Sequence, residues 1–352
     1  MIKKNIKKIN VGVTGYYKYQ FKNNDIFLKN LVEGGNYAMK KYQNLYIDSQ
    51  KYNINMNTLD LVNLNDLDCI IIVEPLNRFD FKKILKMNIP IFLIIEECEV
   101  VSGISLDEID YDKFVKVFTM HDDKVESSSK FIKFNCMSYI KNKKIDKNID
   151  NKKKFLTLIA SNKKSTHINE LYSERLKVIS WYEKNQPEKF DLYGRGWDRF
   201  VFPLNNNSLR FLNSKKFYFF QKLFSTKRPS WQGIVDEKTA TLKQYKFSLA
   251  FDNAKNYRGY ILEKIFDIFE SSSVPIYFGA PNIEKHIPPN CFIDYRNFPS
   301  IADMHKYLIN INDKQYIEIL DNIENFLNSN LSYQFGSEYF SKIVIKEILS
   351  LK

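Results

Sequence analysis

The sequence predicts an α/β protein of two domains, each built around a mostly parallel sheet. Three observations support this. The chain has 352 residues and is 44% hydrophobic, which is enough for a large core in more than one domain. Short apolar runs alternate with helical stretches, which is typical of parallel sheets. A charged run that is poor in apolar residues, KNKKIDKNIDNKKK at 141–154, is the best linker in the chain.

The predicted N-terminal domain covers residues 1–140. Its strands are expected at 9–13, 69–73, 90–95 and 115–119, with helical stretches at 25–42 and 79–86. The predicted C-terminal domain covers 155–352. It begins with a strand at 155–160 and continues with a helix near 170–184, a strand in FDLYGRGW (190–197) and an aromatic-rich insert at 198–232. Helices follow at 300–310 and 314–329. The amphipathic end at 335–351 forms a last helix, and whether this helix packs on the N-terminal domain is left open.

The most informative stretch runs from 245 to 298. Phe247, Leu249 and Phe251 alternate as in a buried strand, and the polar loop DNAKNYRGY follows. Apolar residues then recur at helical spacing, and a second apolar run, VPIYF, ends at Gly279. Strand, loop, helix and strand form a βαβ unit. Its loop opens at the edge of the sheet where α/β proteins bind ligands.

Two cations in or near this unit indicate a site that binds an anion. Lys264 lies at the expected helix start, beside Glu263, which suits a first turn. A cation there opposes the helix dipole unless an anion such as a phosphate neutralises it. Arg175 lies within the apolar stripe of the helix near 170–184, and a buried charge also needs an anion. The alternatives are a solvated lysine, and an arginine that pairs with a core carboxylate or reaches water along its stem.

A third candidate lies in the N-terminal domain. The buried run 91–95 ends in Glu96 and Glu97, at the carboxyl end of a strand, where α/β sheets place their sites. The alternative is a solvated loop cap.

Several linked motifs resemble the signature of glycosyltransferase family 10, the alpha-1,3/1,4-fucosyltransferases. The matching runs are YKFSLAFDN (245–253), YILEK (260–264), VPIYFG (274–279) and PPNCFIDY (288–295). The runs ASN, ELYSER and DLYGRGW between 160 and 197 are similar to bacterial relatives. The resemblance is clear over about 155–345. It implies the GT-B architecture, in which two Rossmann-like α/β domains face a cleft.

The resemblance also implies roles. By this resemblance the reaction would be an inverting, metal-independent transfer of fucose from GDP-fucose to a hydroxyl of a glycan acceptor, with no cofactor. Arg175 and Lys264 would neutralise the donor diphosphate. Asn253, Tyr260 and Glu263 would complete the donor pocket, and Tyr257 flanks it. Glu97 would be the general base, with Glu96 and Glu99 left open.

Two positions depart from the family pattern. Asp252 stands where the family has Glu, and Leu262 stands where it has Thr. A different nucleotide sugar is therefore an alternative donor. A protein that binds a nucleotide sugar without catalysis is a further alternative, as is nucleic-acid binding driven by the net charge of +12.

Composition narrows the classes of function that remain open for this protein. The lysines are spread along the chain and mixed with acids, without a basic-aromatic RNA-binding motif, so no nucleic-acid partner is expected. We expect no signal peptide, because the basic start of the sequence is not followed by a proper apolar region, and no transmembrane helix, because no run of about 18 apolar residues occurs. The expectation is a cytoplasmic enzyme, with peripheral contact at an anionic inner membrane face left open. No metal or redox site is expected from the isolated DxD triplets (66–68 and 110–112), the four histidines or the scattered Cys69, Cys98, Cys136 and Cys291.

Overall fold

The computed structural model describes residues 8–16, 19–29, 39–74, 83–135, 143–203, 211–224 and 228–351. The strands are β1 Ile9–Gly15, β2 Ile54–Thr58, β3 Cys69–Val73, β4 Ile91–Ile95, β5 Lys116–Thr119, β6 Phe131–Lys133, β7 Lys154–Ile159, β8 Phe190–Tyr193, β9 Tyr245–Phe251, β10 Val274–Phe278 and β11 Ile293–Asp294.

The helices follow the same order along the chain. They are α1 Asp25–Leu28, α2 Lys40–Gln50, α3 Glu99–Ser102, α4 Asp122–Ser127, α5 Tyr172–Asn185, α6 Tyr218–Leu223, α7 Lys238–Leu242, α8 Lys264–Glu270, α9 Ile301–Asn310, α10 Asp313–Leu327, α11 Asn330–Tyr333 and α12 Ser337–Leu349. No helix in the part of the chain described above is long and apolar enough to cross a membrane.

The chain divides into two compact units. The first contains residues 1–97, 104–139 and 333–352, and the second contains 98–103 and 140–332. The end of the proposed linker, from 143 onward, contacts the second unit. There Ile145 is buried and its N–H donates to Glu324 at 3.3 Å, while the N–H of Asp146 donates to Ser272 Oγ at 2.8 Å. Residues 141–142 and Cys136 lie outside the described ranges.

The first unit is built on a parallel sheet of order β2-β1-β3-β4-β5-β6. Every residue of β3 and β4 is buried, in agreement with their continuous apolar sequences. The strands at its two edges were not predicted, because polar residues interrupt the apolar pattern of INMNT and because FIK is only three residues long. Helix α12 packs against α2, where the rings of Tyr42 and Phe340 meet edge to face at 5.7 Å.

The second unit contains a parallel sheet of order β11-β10-β9-β7-β8. Chain order reverses between β7 and β9, because β8 lies on one side of β7 and β9 on the other. Such a switch point leaves a crevice at the carboxyl ends of the two strands, which is where open α/β sheets bind ligands. The loops that follow β7 and β9, 160–171 and 252–263, therefore border the candidate site.

Candidate active site

Asp252 closes the loop that follows β9. Its side chain is buried; Oδ1 accepts the N–H of Leu262 at 3.3 Å and Oδ2 accepts the hydroxyl of Tyr277 at 2.7 Å. Its own N–H donates to the carbonyl of Phe278 at 2.8 Å. Burial raises the pKa of Asp252 to about 7, although the charge of Lys264 acts in the other direction. One carboxylate therefore joins β9, β10 and the start of α8.

The contact between Asp252 and Tyr277 requires a glycine beside it. A Cβ at Gly279 would lie 2.3 Å from Asp252 Oδ2 and 2.4 Å from the Tyr277 hydroxyl. That hydroxyl also accepts the N–H of Ala280 at 2.8 Å. The sequence analysis gave Tyr277 no role. The only signal was its place in the VPIYFG run, which does not reveal a partner 25 residues earlier in the chain.

Arg175 is buried on α5 and points to the end of β9. Its Nη2 donates to the carbonyl oxygens of Phe251 and Asp252, both at 2.7 Å, and to Asn253 Oδ1 at 3.3 Å. Its Nε is buried and has no hydrogen-bond partner among the described residues. Burial lowers the pKa of Arg175, and the nearby Tyr172 and Asp252 oppose this shift. The compensation observed comes mainly from carbonyl oxygens, and the predicted contact with a diphosphate stays a prediction.

Glu263 and Lys264 stand at the N-terminal end of α8. The helix begins at Lys264, so Glu263 is the capping residue and not part of the first turn as expected from the sequence. The two side chains form an ion pair at 3.7 Å, and the Lys264 side chain is 17% exposed. Burial raises the pKa of Glu263, but the charges of Lys264 and Lys238 outweigh this effect and lower it to about 2. Glu263 is therefore an ionised acceptor at neutral pH.

Lys238 is a further cation near the site, and no sequence pattern marked it as a site residue. It reaches from α7 to Asp267 of α8, with Nζ 3.3 Å from Oδ2. Burial raises the pKa of Asp267 to about 6, and Lys238 limits that rise. Two ion pairs, Lys264 with Glu263 and Lys238 with Asp267, therefore lie at the first turn of α8.

Two of the predicted pocket residues, Asn253 and Tyr260, are buried. Tyr260 is fully buried, and its ring meets that of Tyr257 at 6.2 Å. Asn253 is also buried; its carbonyl accepts the N–H of Leu171 at 3.1 Å. These contacts fix the loop from both ends, so Asn253 and Tyr260 lie in the framework of the candidate site.

A small polar cluster in the same unit includes one of the alternative bases. His167 Nε2 lies 3.6 Å from Glu99 Oε2, and His167 Nδ1 accepts the N–H of Asn169 at 3.1 Å. Nδ1 is thus an acceptor in the neutral ring, and Nε2–H faces the carboxylate. Burial and Glu99 raise the pKa of Tyr257 to about 12. Glu99 therefore belongs to the surroundings of the loop that follows β7.

The other two glutamates lie in the first unit. Glu96 accepts the hydroxyl of Tyr42 at 2.7 Å and forms an ion pair with the buried Lys41. The N–H of Glu97 donates to Glu74 Oε1 at 3.0 Å, and the N–H of Glu96 donates to the same oxygen. Glu74 is buried at the end of β3, and burial raises its pKa well above the usual range. Glu96 therefore has structural partners for its carboxylate, and Glu74 holds the backbone of Glu97.

Among the residues that the structure describes, no group of three or more histidine, cysteine, aspartate or glutamate side chains is arranged to hold a metal ion. Cys69, Cys98 and Cys291 are buried free thiols.

Comparison with solved structures defines the fold. The chain matches a crystal structure of an alpha1,3-fucosyltransferase with GDP-fucose, with a TM-score of 0.57 and 16% identity, over 99% of this chain and 92% of that one. A structure of an alpha1,3-fucosyltransferase with GDP gives a TM-score of 0.56 at 15% identity. The protein therefore has the GT-B architecture of glycosyltransferases, as predicted.

The family follows from the sequence. Residues 149–330 match the profile described as glycosyltransferase family 10 (fucosyltransferase), C-terminal part. The chain belongs to this family, which confirms the predicted resemblance.

Curated relatives agree over shorter segments. The alpha-(1,3)-fucosyltransferase FucT of Helicobacter pylori is 37% identical over 115 residues, which are 31% of this chain and 23% of that protein. An alpha-(1,4)-fucosyltransferase of Arabidopsis thaliana is 37% identical over 78 residues, 22% of this chain and 19% of that protein. The matched part of the chain thus spans less than a quarter of these relatives.

Proposed function

We propose that this protein transfers fucose from GDP-fucose to a hydroxyl of a glycan acceptor, with inversion at the anomeric carbon and without a metal. The observation that carries the proposal is the cationic start of α8 within the family-matched region. Lys264, with Arg175 behind the preceding loop, gives this edge of the sheet the charge that a nucleoside diphosphate requires. Of the solved structures similar in fold, one contains GDP-fucose.

In the proposed mechanism the second unit binds the donor. Lys264 contacts the diphosphate at the N-terminal end of α8 and stabilises the negative charge that grows as GDP leaves. Arg175 presents its Nε and the rest of its guanidinium fork to the phosphate oxygens while Nη2 holds the end of β9. Glu263 stays ionised and accepts hydrogen bonds from hydroxyls of the donor.

The first unit supplies the base. Glu97 takes the proton from the acceptor hydroxyl as its oxygen attacks the anomeric carbon, and the bond to the diphosphate breaks on the opposite face. Glu96 is less suited to this role because Lys41 and Tyr42 already occupy its carboxylate.

The two departures from the family pattern do not argue against fucose. Asp252 and Leu262 are both buried, and the carboxylate of Asp252 is committed to Tyr277 and to the N–H of Leu262. Each substitution is therefore accommodated by packing within the unit. Donor choice rests on the residues around them.

The test begins with calorimetry of the full chain against GDP, UDP, CMP and dTDP. GDP should bind most tightly, and GDP-fucose should then label part of a glycan array, with most activity retained in EDTA. Equal affinity for UDP would reject the GDP proposal. GDP binding without fucose transfer would point to another GDP sugar or to a non-catalytic binding protein. Activity lost in EDTA and restored by manganese would reject metal independence.

A further inference from the structure

The insert that follows β8 carries charge of one sign. No acidic residue occurs between Asp198 and Asp236, while nine aromatic residues lie in the same interval. Its charged residues are Arg199, Arg210, Lys215, Lys216, Lys222, Lys227 and Arg228. A segment with seven cations, no acid and many aromatic residues is suited to a partner that is both anionic and apolar.

Five of the nine aromatic side chains of the insert are exposed, namely Phe211, Tyr218, Phe219, Phe220 and Phe224. Phe219 is 75% exposed, Leu223 66% and Phe224 60%. Every exposed phenylalanine in the described part of the chain lies within 211–224. We call the following residues the aromatic–basic patch: Phe211, Lys216, Tyr218, Phe219, Phe220, Lys222, Leu223 and Phe224. A cluster of large apolar side chains on a soluble surface marks an interaction site.

Helix α6, within this patch, buries a polar residue and exposes its apolar residues. Its one buried residue is Gln221, whose carbonyl accepts the N–H of Phe200 at 2.9 Å and whose side-chain amide donates to the carbonyl of Leu212. A helix on a globular protein normally turns its apolar stripe to the core. Here the glutamine attaches the helix to the second unit, and Phe219, Phe220 and Leu223 face outward. This arrangement is favourable when an apolar phase covers the outer face.

A cationic recess borders the patch. It is lined by Asn162, Lys164, Leu176, Trp197, Arg199, Phe200, Val201, Phe224 and Arg228. The Lys164 ammonium lies 3.9 Å from the centre of the Phe200 ring, and burial together with Arg228 lowers its pKa. Arg228 pairs with Glu183 at 2.9 Å, whereas Lys164 and Arg199 form no ion pair with any described carboxylate. The recess is therefore suited to hold an anionic group.

We propose that the aromatic–basic patch docks the second unit onto an anionic lipid bilayer. Phe219, Phe220 and Leu223 enter the interface between head groups and acyl chains, Lys216 and Lys222 neutralise anionic head groups, and the recess receives a lipid phosphate. Cations alone would also suit a nucleic acid. The rings, however, pack on one another at a tilt, as Phe220 and Phe224 do at 4.9 Å, and do not form a flat platform for stacked bases.

The test is flotation of the full chain with vesicles of phosphatidylcholine alone or with about 30% phosphatidylglycerol. The bound fraction should rise about tenfold or more with the anionic lipid and fall in high salt. Phe219→Ser/Leu223→Ser should lose about tenfold in partitioning. Lys216→Glu/Lys222→Glu should lose the preference for anionic lipid.

Matched controls lie on α9 and at the start of α10. Tyr307→Ser/Ile309→Ser and Lys306→Glu/Lys314→Glu change exposed aromatic, aliphatic and lysine side chains outside the patch and should float like the wild type. Thermal unfolding of each variant verifies that it is folded. Equal binding to both vesicles, or patch variants that bind like the wild type, would overturn the proposal. So would wild-type binding to a DNA duplex in place of vesicles, or self-association that the patch substitutions abolish.

Discussion

Arg175 donates from Nη2 to the carbonyl oxygen of Asp252 at 2.7 Å, so the cation proposed to face the donor also holds the strand end that carries the donor loop. This relationship explains how an arginine is accommodated in an apolar stripe: carbonyl dipoles that accept its hydrogen bonds compensate its charge, together with the nearby Asp252. It also means that a substitution at this position acts on stability and on donor binding together.

Arg175→Ala should lower the rate of transfer by about two orders of magnitude or more, because it removes a charge that faces the leaving diphosphate. It should also lower the melting temperature, because two buried carbonyl groups lose their donor. Initial rates, GDP affinity and thermal unfolding measured together separate these effects. Wild-type turnover in a folded variant would contradict the assignment.

Lys264→Ala should lower transfer by about two orders of magnitude with a small effect on folding, because its ion pair with Glu263 is partly exposed. Lys285→Ala, at an exposed lysine of the same unit, serves as the control and should be as active as the wild type. If both variants keep full activity, the start of α8 does not bind the diphosphate.

Glu97→Gln should reduce transfer steeply and leave GDP affinity almost unchanged, because the amide cannot accept the proton and Glu97 lies in the unit that does not contain the predicted donor residues. Glu96→Gln should instead lower the melting temperature, because the buried Lys41 loses its countercharge. An active Glu97→Gln beside an inactive Glu99→Gln would move the base to Glu99.

Gly279→Ala should destabilise the protein by about 1–3 kcal/mol, because the added methyl group overlaps Asp252 and Tyr277. Gly336→Ala is the milder comparison, since its Cβ would meet its nearest neighbour, the Tyr333 carbonyl oxygen, at 3.2 Å. Urea unfolding measures both. Equal stability of the two variants would show that the pair formed by Asp252 and Tyr277 can move apart at little cost.

Asp252 should make stability depend on pH. Its pKa of about 7 in the folded protein exceeds the value of about 3.9 in an unfolded chain, so the folded state retains a proton between these values. Its contribution to the free energy of unfolding therefore falls as pH rises, by about 2–3 kcal/mol from pH 5 to pH 8. Urea unfolding of Asp252→Asn should show a flatter profile; an unchanged slope would assign the effect to other groups.

The sequence predicted those parts of the fold that have a continuous or regular apolar pattern. Strands β3 and β4 were found because every residue in them is buried, whereas INMNT of β2 was missed because polar residues interrupt it. The cationic edge of the site was also predictable, because Lys264 opposes a helix dipole. Lys238, Glu74 and Tyr277 were not, because their significance depends on partners that only tertiary folding brings near.

The buried Lys41 shows how the order of synthesis constrains this protein. Its ammonium lies 5.8 Å from the centre of the Phe340 ring, and helix α12 covers this part of the first unit. Almost three hundred residues separate the two positions, so the first unit stays incomplete until Phe340 has left the ribosome. During that time Lys41 and the apolar face of α2 lack their cover. The second unit is fully synthesised at residue 332, before helix α12 emerges, so it has the opportunity to fold before the first unit is complete.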